Sequence, residues 1–278
     1  MTRILLIIWL SLELILSSAG QESADISEAV VQSTFLIKDE RSPFSGSGFV
    51  VYKVQTNGVA SVFVTANHVL TNFVGENAII MLRRSIGQSQ WELAPLTNRI
   101  RQGTNILYVR HPRLDVAAFY IALPGKCIDK RLGEQLLMDE TAIRNAGLGP
   151  GTEVLNVGFP FGIASGPEQF GFLRSGRIAS YPILPVAARN TFELAITAFG
   201  GNSGGPVYIS NHVKPGTENN LPTPRYLGIV GVLTTSRMLI QNLETVDETI
   251  TRKTQLGFAG VIHAHFIKET IELLPKHW

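Results

Sequence analysis

One serine in this chain lies in a segment composed almost entirely of small residues. Ser203 stands within Gly-Gly-Asn-Ser-Gly-Gly-Pro, residues 200–206. A serine hydroxyl is a weak nucleophile, so it needs a base that takes its proton and donors that hold a developing oxyanion. Small flanking residues let a substrate carbonyl approach the main chain and its N–H groups. The same letters also fit a plain glycine-rich turn, so this segment alone does not establish a nucleophile.

A histidine and an aspartate upstream are the two partners that such a serine requires. His68 follows the apolar segment Val62–Thr65, and Asp115 begins the apolar segment Asp115–Ile121. Histidine titrates near neutrality and can shuttle a proton. A carboxylate at the head of a buried strand needs a partner, and a histidine N–H is a suitable one. Each residue alone also fits a structural role, but together they predict a proton relay for acyl transfer.

At these positions the chain resembles the chymotrypsin-like (trypsin-fold) serine peptidases. The resemblance is closest to the bacterial disulfide-free branch that includes the high-temperature-requirement proteases, and the chain order His68, Asp115, Ser203 matches that family. The similarity covers about residues 30–275, with supporting segments at 46–50, 157–162 and 175–179. It implies an all-β fold of two antiparallel barrels, trypsin-like, with a C-terminal helix.

The resemblance also implies a role for each residue of the site. His68 would be the general base, Asp115 would orient its imidazole, and Ser203 would attack a peptide carbonyl. The backbone N–H groups of Gly201 and Ser203 would form the oxyanion hole. The implied reaction needs no metal or cofactor, and its substrates are polypeptides.

Two positions depart from the pattern of the animal digestive members of this family. Asn202 replaces the acidic residue that pairs with a newly cut N-terminus, so activation by trimming is not expected. Thr197 replaces the aspartate with which some members bind Lys or Arg, so we predict an apolar or small residue before the scissile bond (P1). The strand Gly228–Thr234 is expected to wall the pocket and to pair with the substrate backbone. The predicted pocket residues are Thr197, Gly231, Val232 and Leu233.

The rest of the sequence predicts the elements that position these residues. Of the 278 residues, 45% are hydrophobic and 17% are charged, which is typical of a packed globular core. Short β-branched segments bounded by Gly, Pro and Asn recur after residue 25 and predict a β-rich architecture. The segment His265–Leu274 has the apolar spacing of a closing amphipathic helix, and Gly133–Asn145 fits a short helix between two halves.

A signal peptide is predicted at residues 1–20, because Arg3, the apolar segment Ile4–Leu16 and the small residues 17–19 follow its usual pattern. An uncleaved anchor and an N-terminal amphipathic helix stay open as alternatives. With Cys127 as the single cysteine, no disulfide can form within the chain, which favours a bacterial periplasm or exterior. We expect one peptidase domain over residues 21–278, without a C-terminal PDZ module. Its expected parts are an N-terminal barrel at about 28–123, a linker at about 124–150, and a C-terminal barrel with its helix at about 151–275.

Several other classes of function are disfavoured. The net charge is +2 and no Lys/Arg tract is present, which argues against nucleic-acid binding. No second apolar segment is long enough to span a membrane. Arg83, Arg84, Arg99 and Arg101 are interpreted as a solvated face. The oligomeric state stays open.

Two alternative functions stay open at the level of sequence. Residues 201–205 also fit the Gly-x-Ser-x-Gly turn of a serine esterase, with Asp247 and either His263 or His265 as its partners. A protease-fold binding protein without turnover is the other alternative. The pair His263 and His265 could face one side of a strand, but the pattern offers no third metal ligand.

Overall fold

The computed structural model describes residues 26–56, 58–87, 90–128, 130–213, 225–244 and 249–276. The predicted signal peptide at residues 1–20 lies outside the described residues, as does Asp247. Strands predominate, and they form two units whose named strands pair only in antiparallel fashion. The predicted all-β fold with a C-terminal helix is therefore confirmed.

The first unit is a seven-stranded sheet that forms a half-barrel, with two small hairpins attached to it. The order in the sheet is β10-β11-β3-β2-β1-β4-β7, and the hairpins are β5-β6 and β8-β9. The strands of this unit are β1 (Thr34–Asp39), β2 (Ser45–Gln55), β3 (Gly58–Thr65), β4 (Asn77–Ile80), β5 (Arg83–Gly87), β6 (Gln90–Leu93), β7 (Leu96–Arg99), β8 (Arg101–Gln102), β9 (Asn105–Ile106), β10 (Val109–Arg110) and β11 (Ala117–Tyr120).

The second unit is a closed barrel of six strands in the order β12-β13-β14-β17-β16-β15. Its last two strands are much longer than the others and continue together beyond the barrel. The strands are β12 (Glu153–Gly158), β13 (Phe172–Ile178), β14 (Thr191–Ala195), β15 (Pro206–Val213), β16 (Arg225–Glu244) and β17 (Thr249–His263).

Helices are short and lie at the ends and joints of the two units. Residues 26–33 are helical (α1), and the others are α2 (Asn67–Thr71), α3 (Glu140–Ala146) and α4 (Ala264–Glu272), with 3₁₀ turns at Glu134–Leu136 and Pro160–Gly162. The predicted closing helix corresponds to α4. The short helix expected between the halves is α3, which Asp139 caps by accepting the Ala142 N–H at 2.8 Å. Among the described residues, no helix is both long and apolar enough to cross a membrane.

The apolar segments of the sequence are continuous rather than alternating because both faces of the central strands are buried. In β3, Val62 and Val64 face a core that both units share, while Phe63 faces the core of the first unit. This is the two-residue alternation of a strand packed on both sides. Helix α4 adds Phe266 and Ile271 to the shared core. The two units are thus joined by a common apolar seam rather than by a flexible connection.

One residue of the predicted solvated arginine face is in fact fully buried. Arg83 donates to four main-chain carbonyl oxygens, those of Val31, Gln32, Thr34 and Gln169. Its guanidinium also lies 4.5 Å from the ring centroid of Phe35 and 4.2 Å from that of Phe170. Burial lowers the pKa of Arg83 to about 9. The expectation of a solvated face was wrong for this residue, because carbonyl groups and aromatic rings replace its water.

The two histidines near the start of α4 lie in different surroundings. His263 is fully buried, with its ring centroid 4.7 Å from that of Phe192, and burial lowers its pKa to about 4. His265 is partly exposed and lies 3.2 Å from the Glu269 carboxylate. Over the described ranges, no group of three or more His, Cys, Asp or Glu residues could hold a metal ion.

We predict that His263 makes the fold acid-labile. The unfolded imidazole takes up a proton below about pH 6.5, whereas the folded one stays neutral until about pH 4. The unfolded state therefore binds more protons in this window, and stability falls with falling pH, by up to about 3 kcal/mol. In His263→Leu, the midpoint of thermal unfolding should depend less on pH between 4 and 6.5. The exposed His265→Gln is the control, and an unchanged pH dependence in His263→Leu would contradict the prediction.

Candidate active site

His68 is held at the surface of the first unit by the short helix that follows β3. Val69 and Leu70 of α2 are buried in the core of that unit, and they anchor the helix. The adjacent His68 side chain stays 35% exposed. A buried strand followed by one anchored turn thus presents an imidazole to solvent without letting it move freely.

Asp115 contacts His68 with both of its carboxylate oxygens. One oxygen lies 2.5 Å from the ring Nδ1, and the other accepts the His68 main-chain N–H at 2.7 Å. Two contacts to one residue fix the orientation of the imidazole. They also place the ring proton on Nδ1, so that Nε2 is left as a proton acceptor.

The turn before Asp115 is built around a second histidine, His111. Its Nδ1 accepts the N–H groups of Arg113 and Leu114 at 3.2 and 3.1 Å, and its Nε2 lies 3.0 Å from the carboxylate of Glu269 in α4. Since Nδ1 accepts, Nε2 carries the proton and donates to Glu269. The sequence analysis did not assign a role to His111. The structure shows a buried side chain that ties Asp115 to the closing helix.

Ser203 lies in the loop between β14 and β15, on the opposite side of the seam from His68. Its hydroxyl donates to the Thr234 carbonyl of β16 at 3.1 Å, and no hydrogen bond joins it to His68 in the described structure. A side-chain carbon at Gly204 would collide with the Ser47 carbonyl oxygen and the Thr65 hydroxyl. This glycine, with φ +90°, therefore allows the serine loop to pack directly against the end of β3, next to α2.

Ser47 is a residue of the site that the sequence analysis did not single out. It is fully buried, its N–H donates to the Ser203 carbonyl at 2.8 Å, and its hydroxyl donates to the Gly201 carbonyl at 2.7 Å. The same hydroxyl accepts the Phe159 N–H at 3.1 Å. One small side chain of the first unit thus holds two loops of the second. A serine between Gly46 and Gly48 is the signal that could have identified it.

Two main-chain N–H groups of the serine loop are free to bind an anion. The Phe161 N–H donates to the Gly200 carbonyl at 2.6 Å. In a trans peptide the C=O and the N–H point in opposite directions. The N–H of the Gly200–Gly201 peptide, which belongs to Gly201, therefore points away from Phe161. Within the described chain, neither the Gly201 nor the Ser203 N–H has an acceptor. Gly201 has φ +92°, and a side chain there would collide with the Phe159 carbonyl, which explains the glycine.

Asn202 occupies an unusual position beside the serine. It is fully buried, and neither atom of its amide has a hydrogen-bond partner. Its main chain is satisfied, since its N–H donates to Phe199 and its carbonyl accepts from Gly205, both at 3.1 Å. The side chain therefore contributes no ion pair to the loop.

The predicted pocket residues do not all lie on one surface. Thr197 is exposed, and its carbonyl accepts a hydrogen bond from the Arg174 guanidinium, which lies 4.8 Å from the ring centroid of Phe199. Val232 and Leu233 are buried in the apolar cores, and Gly231 is packed against β17. After Thr234, β16 becomes accessible: Thr235 is exposed and Ser236 is half-exposed.

The esterase alternative requires a strand, a sharp turn at the serine and then a helix. Here the loop of Ser203 leads into β15, which is a barrel strand. The partners proposed for that alternative are also elsewhere, since His263 is buried beside Phe192 and His265 lies on α4. Cys127 is buried as well, and burial raises the pKa of its thiol, so it is not an activated nucleophile.

Comparison with known proteins identifies the family of the chain. The model of the trypsin-like peptidase domain matches residues 46–212, so the chain belongs to this family. Among solved structures, it is similar to Rv3671c of M. tuberculosis H37Rv in the inactive form of a serine-to-alanine mutant, with 17% identity, 88% of this chain and 87% of the other covered, and a TM-score of 0.47. The Rv3671c protease in its inactive form gives 16% identity, 88% and 89% coverage, and a TM-score of 0.46. A search of curated protein sequences gave no match.

We predict that Ser47→Ala destabilises the fold. The substitution leaves the buried Phe159 N–H and the Gly201 carbonyl without partners, which costs about 1–3 kcal/mol of unfolding free energy. Chemical denaturation measures this loss. Ser85→Ala is the control, because that hydroxyl bonds within an exposed hairpin. A change within about 0.5 kcal/mol for Ser47→Ala, typical of a surface substitution, would contradict the prediction.

Proposed function

We propose that this protein is a serine endopeptidase that cleaves polypeptides through an acyl-enzyme with His68, Asp115 and Ser203. The observation that carries the proposal is the double contact of Asp115 with His68, which leaves Nε2 of the imidazole as a proton acceptor. The helix that carries His68 begins next to the strand end against which the serine loop packs. Membership in the trypsin-like peptidase family supports the same chemistry.

The reaction begins with the serine hydroxyl. Rotation about its Cα–Cβ bond exchanges the Thr234 carbonyl for His68 Nε2 as the acceptor. The oxygen of Ser203 then bonds to the substrate carbonyl carbon while its proton passes to Nε2, and the carbonyl becomes an oxyanion. Asp115 stabilises the imidazolium that forms. The free N–H groups of Gly201 and Ser203 hold the oxyanion.

The second half returns the enzyme to its starting state. The intermediate collapses, the peptide C–N bond breaks, and the leaving amine takes the proton from His68. Water then attacks the ester carbonyl with His68 as the base. The new carboxylic acid leaves, and the proton returns to Ser203.

Substrate binding is proposed to involve Thr197 and the part of β16 that begins at Thr234. The earlier segment Gly228–Leu233 does not offer a free edge, because β15 pairs with it on one side and Met138 and β17 bond to it on the other. Strand addition is therefore assigned to residues after Leu233. An apolar or small P1 residue fits the uncharged Thr197.

A fluorophosphonate probe tests the nucleophile. We expect labelling at Ser203, none in Ser203→Ala, and a labelling rate at least about a thousandfold lower in His68→Ala, because the hydroxyl loses its base. Mass spectrometry locates the label. A folded wild-type protein that takes no label would favour the binding-protein alternative, and labelling that survives in His68→Ala would exclude the proposed relay.

A peptide library tests the pocket. We expect Lys and Arg to be disfavoured at P1, because Thr197 has no charge and the Arg174 guanidinium lies on its carbonyl. In Arg174→Gln, cleavage after Lys and Arg should increase about fivefold relative to cleavage after apolar residues. This factor corresponds to the loss of repulsion from one partly exposed charge. Arg177→Gln on the same strand is the control, since Arg177 bonds to Gly151 instead. A preference for Lys or Arg in the wild type would refute the pocket assignment.

A further inference from the structure

The carboxylate of Asp115 has few contacts of its own that could hold it in place. Its side chain is 31% exposed, and across the described chain its hydrogen bonds are only those with the main chain and the ring of His68. A group that bonds only to the residue it must orient has to be fixed through its own backbone. The position of this carboxylate therefore depends on the turn that carries it.

That turn is closed by both the main chain and the side chain of His111. The His111 N–H donates to the Val116 carbonyl at 2.9 Å. The ring Nδ1 accepts the N–H groups of Arg113 and Leu114 at 3.2 and 3.1 Å. These bonds lie on both sides of Asp115 along the chain, so the orientation of one imidazole determines the shape of the turn.

Glu269 of α4 fixes the orientation of the His111 ring. Because Nδ1 accepts two N–H groups, the ring proton is on Nε2, which donates to the Glu269 carboxylate at 3.0 Å. The ring is 3% exposed, and its centroid lies 5.4 Å from that of Phe266. The other carboxylate oxygen lies 3.2 Å from Nε2 of His265. Contacts at both oxygens hold the carboxylate, and its charge strengthens the bond to the buried ring.

We propose that Glu269 is a positioning residue for the reaction and that it acts through His111 on Asp115. The inference rests on the proposed function, because it concerns the carboxylate that orients His68. The protein then has two carboxylate–imidazole pairs in series. Glu269 holds the tautomer and orientation of His111, and the turn that His111 closes holds Asp115 against His68. Main-chain N–H groups connect the two pairs, so the series transmits position and carries no proton.

Substitution of Glu269 tests the proposal by kinetics. In Glu269→Ala, kcat should fall about tenfold with KM unchanged, because His68 loses its fixed partner while the proposed substrate contacts stay intact. The Glu269 side chain is 46% exposed, so its truncation leaves no closed cavity. Glu269→Gln should keep kcat within about twofold of the wild type, since its amide oxygen still accepts the Nε2–H.

Glu272→Ala is the matched control for these variants. Glu272 is the last residue of the same helix, is exposed, and has no hydrogen-bond partner within the described ranges. Its kcat should equal that of the wild type. A change in KM alone, a Glu269→Gln variant as slow as Glu269→Ala, or an equal loss in Glu272→Ala would overturn the inference.

A second background tests whether the effect passes through His111. In His111→Asn, the shorter side chain can still accept the N–H groups of Arg113 and Leu114, as asparagine does in Asx turns, but it no longer reaches Glu269. Adding Glu269→Ala to this background should change kcat by less than about twofold, against tenfold in the wild type. A full tenfold loss in both backgrounds would show that Glu269 acts by another route.

Proton NMR separates this inference from the proposed function. The Nδ1 proton that His68 shares with Asp115 resonates far downfield and is observed without substrate, in the wild type and in Ser203→Ala. In Glu269→Ala this signal should move upfield and exchange faster with water, whereas in Glu272→Ala it should not change. A changed signal in a protein that does not hydrolyse peptides would sustain the positioning role and reject the peptidase. Hydrolysis with an unchanged signal and an unchanged kcat in Glu269→Ala would do the reverse.

Discussion

The geometry of the site depends on the packing of the two units at Ser47. His68 and Asp115 belong to the first unit, and Ser203 belongs to the second. A buried serine in β2 meets the loop of Ser203 with its N–H and its hydroxyl, and the same hydroxyl accepts the N–H of Phe159. Because the cost of leaving such buried groups unpaired is high, the two loops cannot shift independently of the first unit. The relative position of His68 and Ser203 is thus set by the seam and not by either unit alone.

The position of Asp115 depends on the same seam. Asp115 is presented by a turn that closes on His111, and His111 in turn is held by Glu269 of α4. That helix fills the shared apolar core with Phe266 and Ile271. Removing the helix would therefore disturb the Asp115 carboxylate indirectly, because the connection between them passes through the His111 imidazole.

The sequence predicts the candidate triad better than it predicts the residues that position the triad. His68, Asp115 and Ser203 could be singled out because the proposed acyl transfer restricts the types of its residues, and the resemblance to a family supplies their order. The pocket residues were harder to predict, because Val232 and Leu233 belong to a strand whose register is defined only by its pairing in the barrel. The burial of Arg83 was missed because composition treats arginine as a solvated residue, and only the fold shows the carbonyl groups that surround it. Ser47 acts by bonding to main-chain groups, and the amino-acid sequence does not show which main-chain groups the fold brings next to it.

An extra residue in β16, Thr234, marks the boundary between two different parts of this strand. Leu233 pairs with Val261 and Thr235 with Gly260, so Thr234 has no position opposite it in β17 and forms a bulge, although its hydroxyl donates to the Gly260 carbonyl. Without the bulge, the Thr234 carbonyl would belong to the regular ladder with its neighbours. With it, that carbonyl is available to hold the Ser203 hydroxyl. The continuously buried part of β16 ends at Thr234, and exposed or half-exposed residues begin at Thr235. The bulge thus lies both at the hydrogen bond to the Ser203 hydroxyl and at the point where β16 leaves the core.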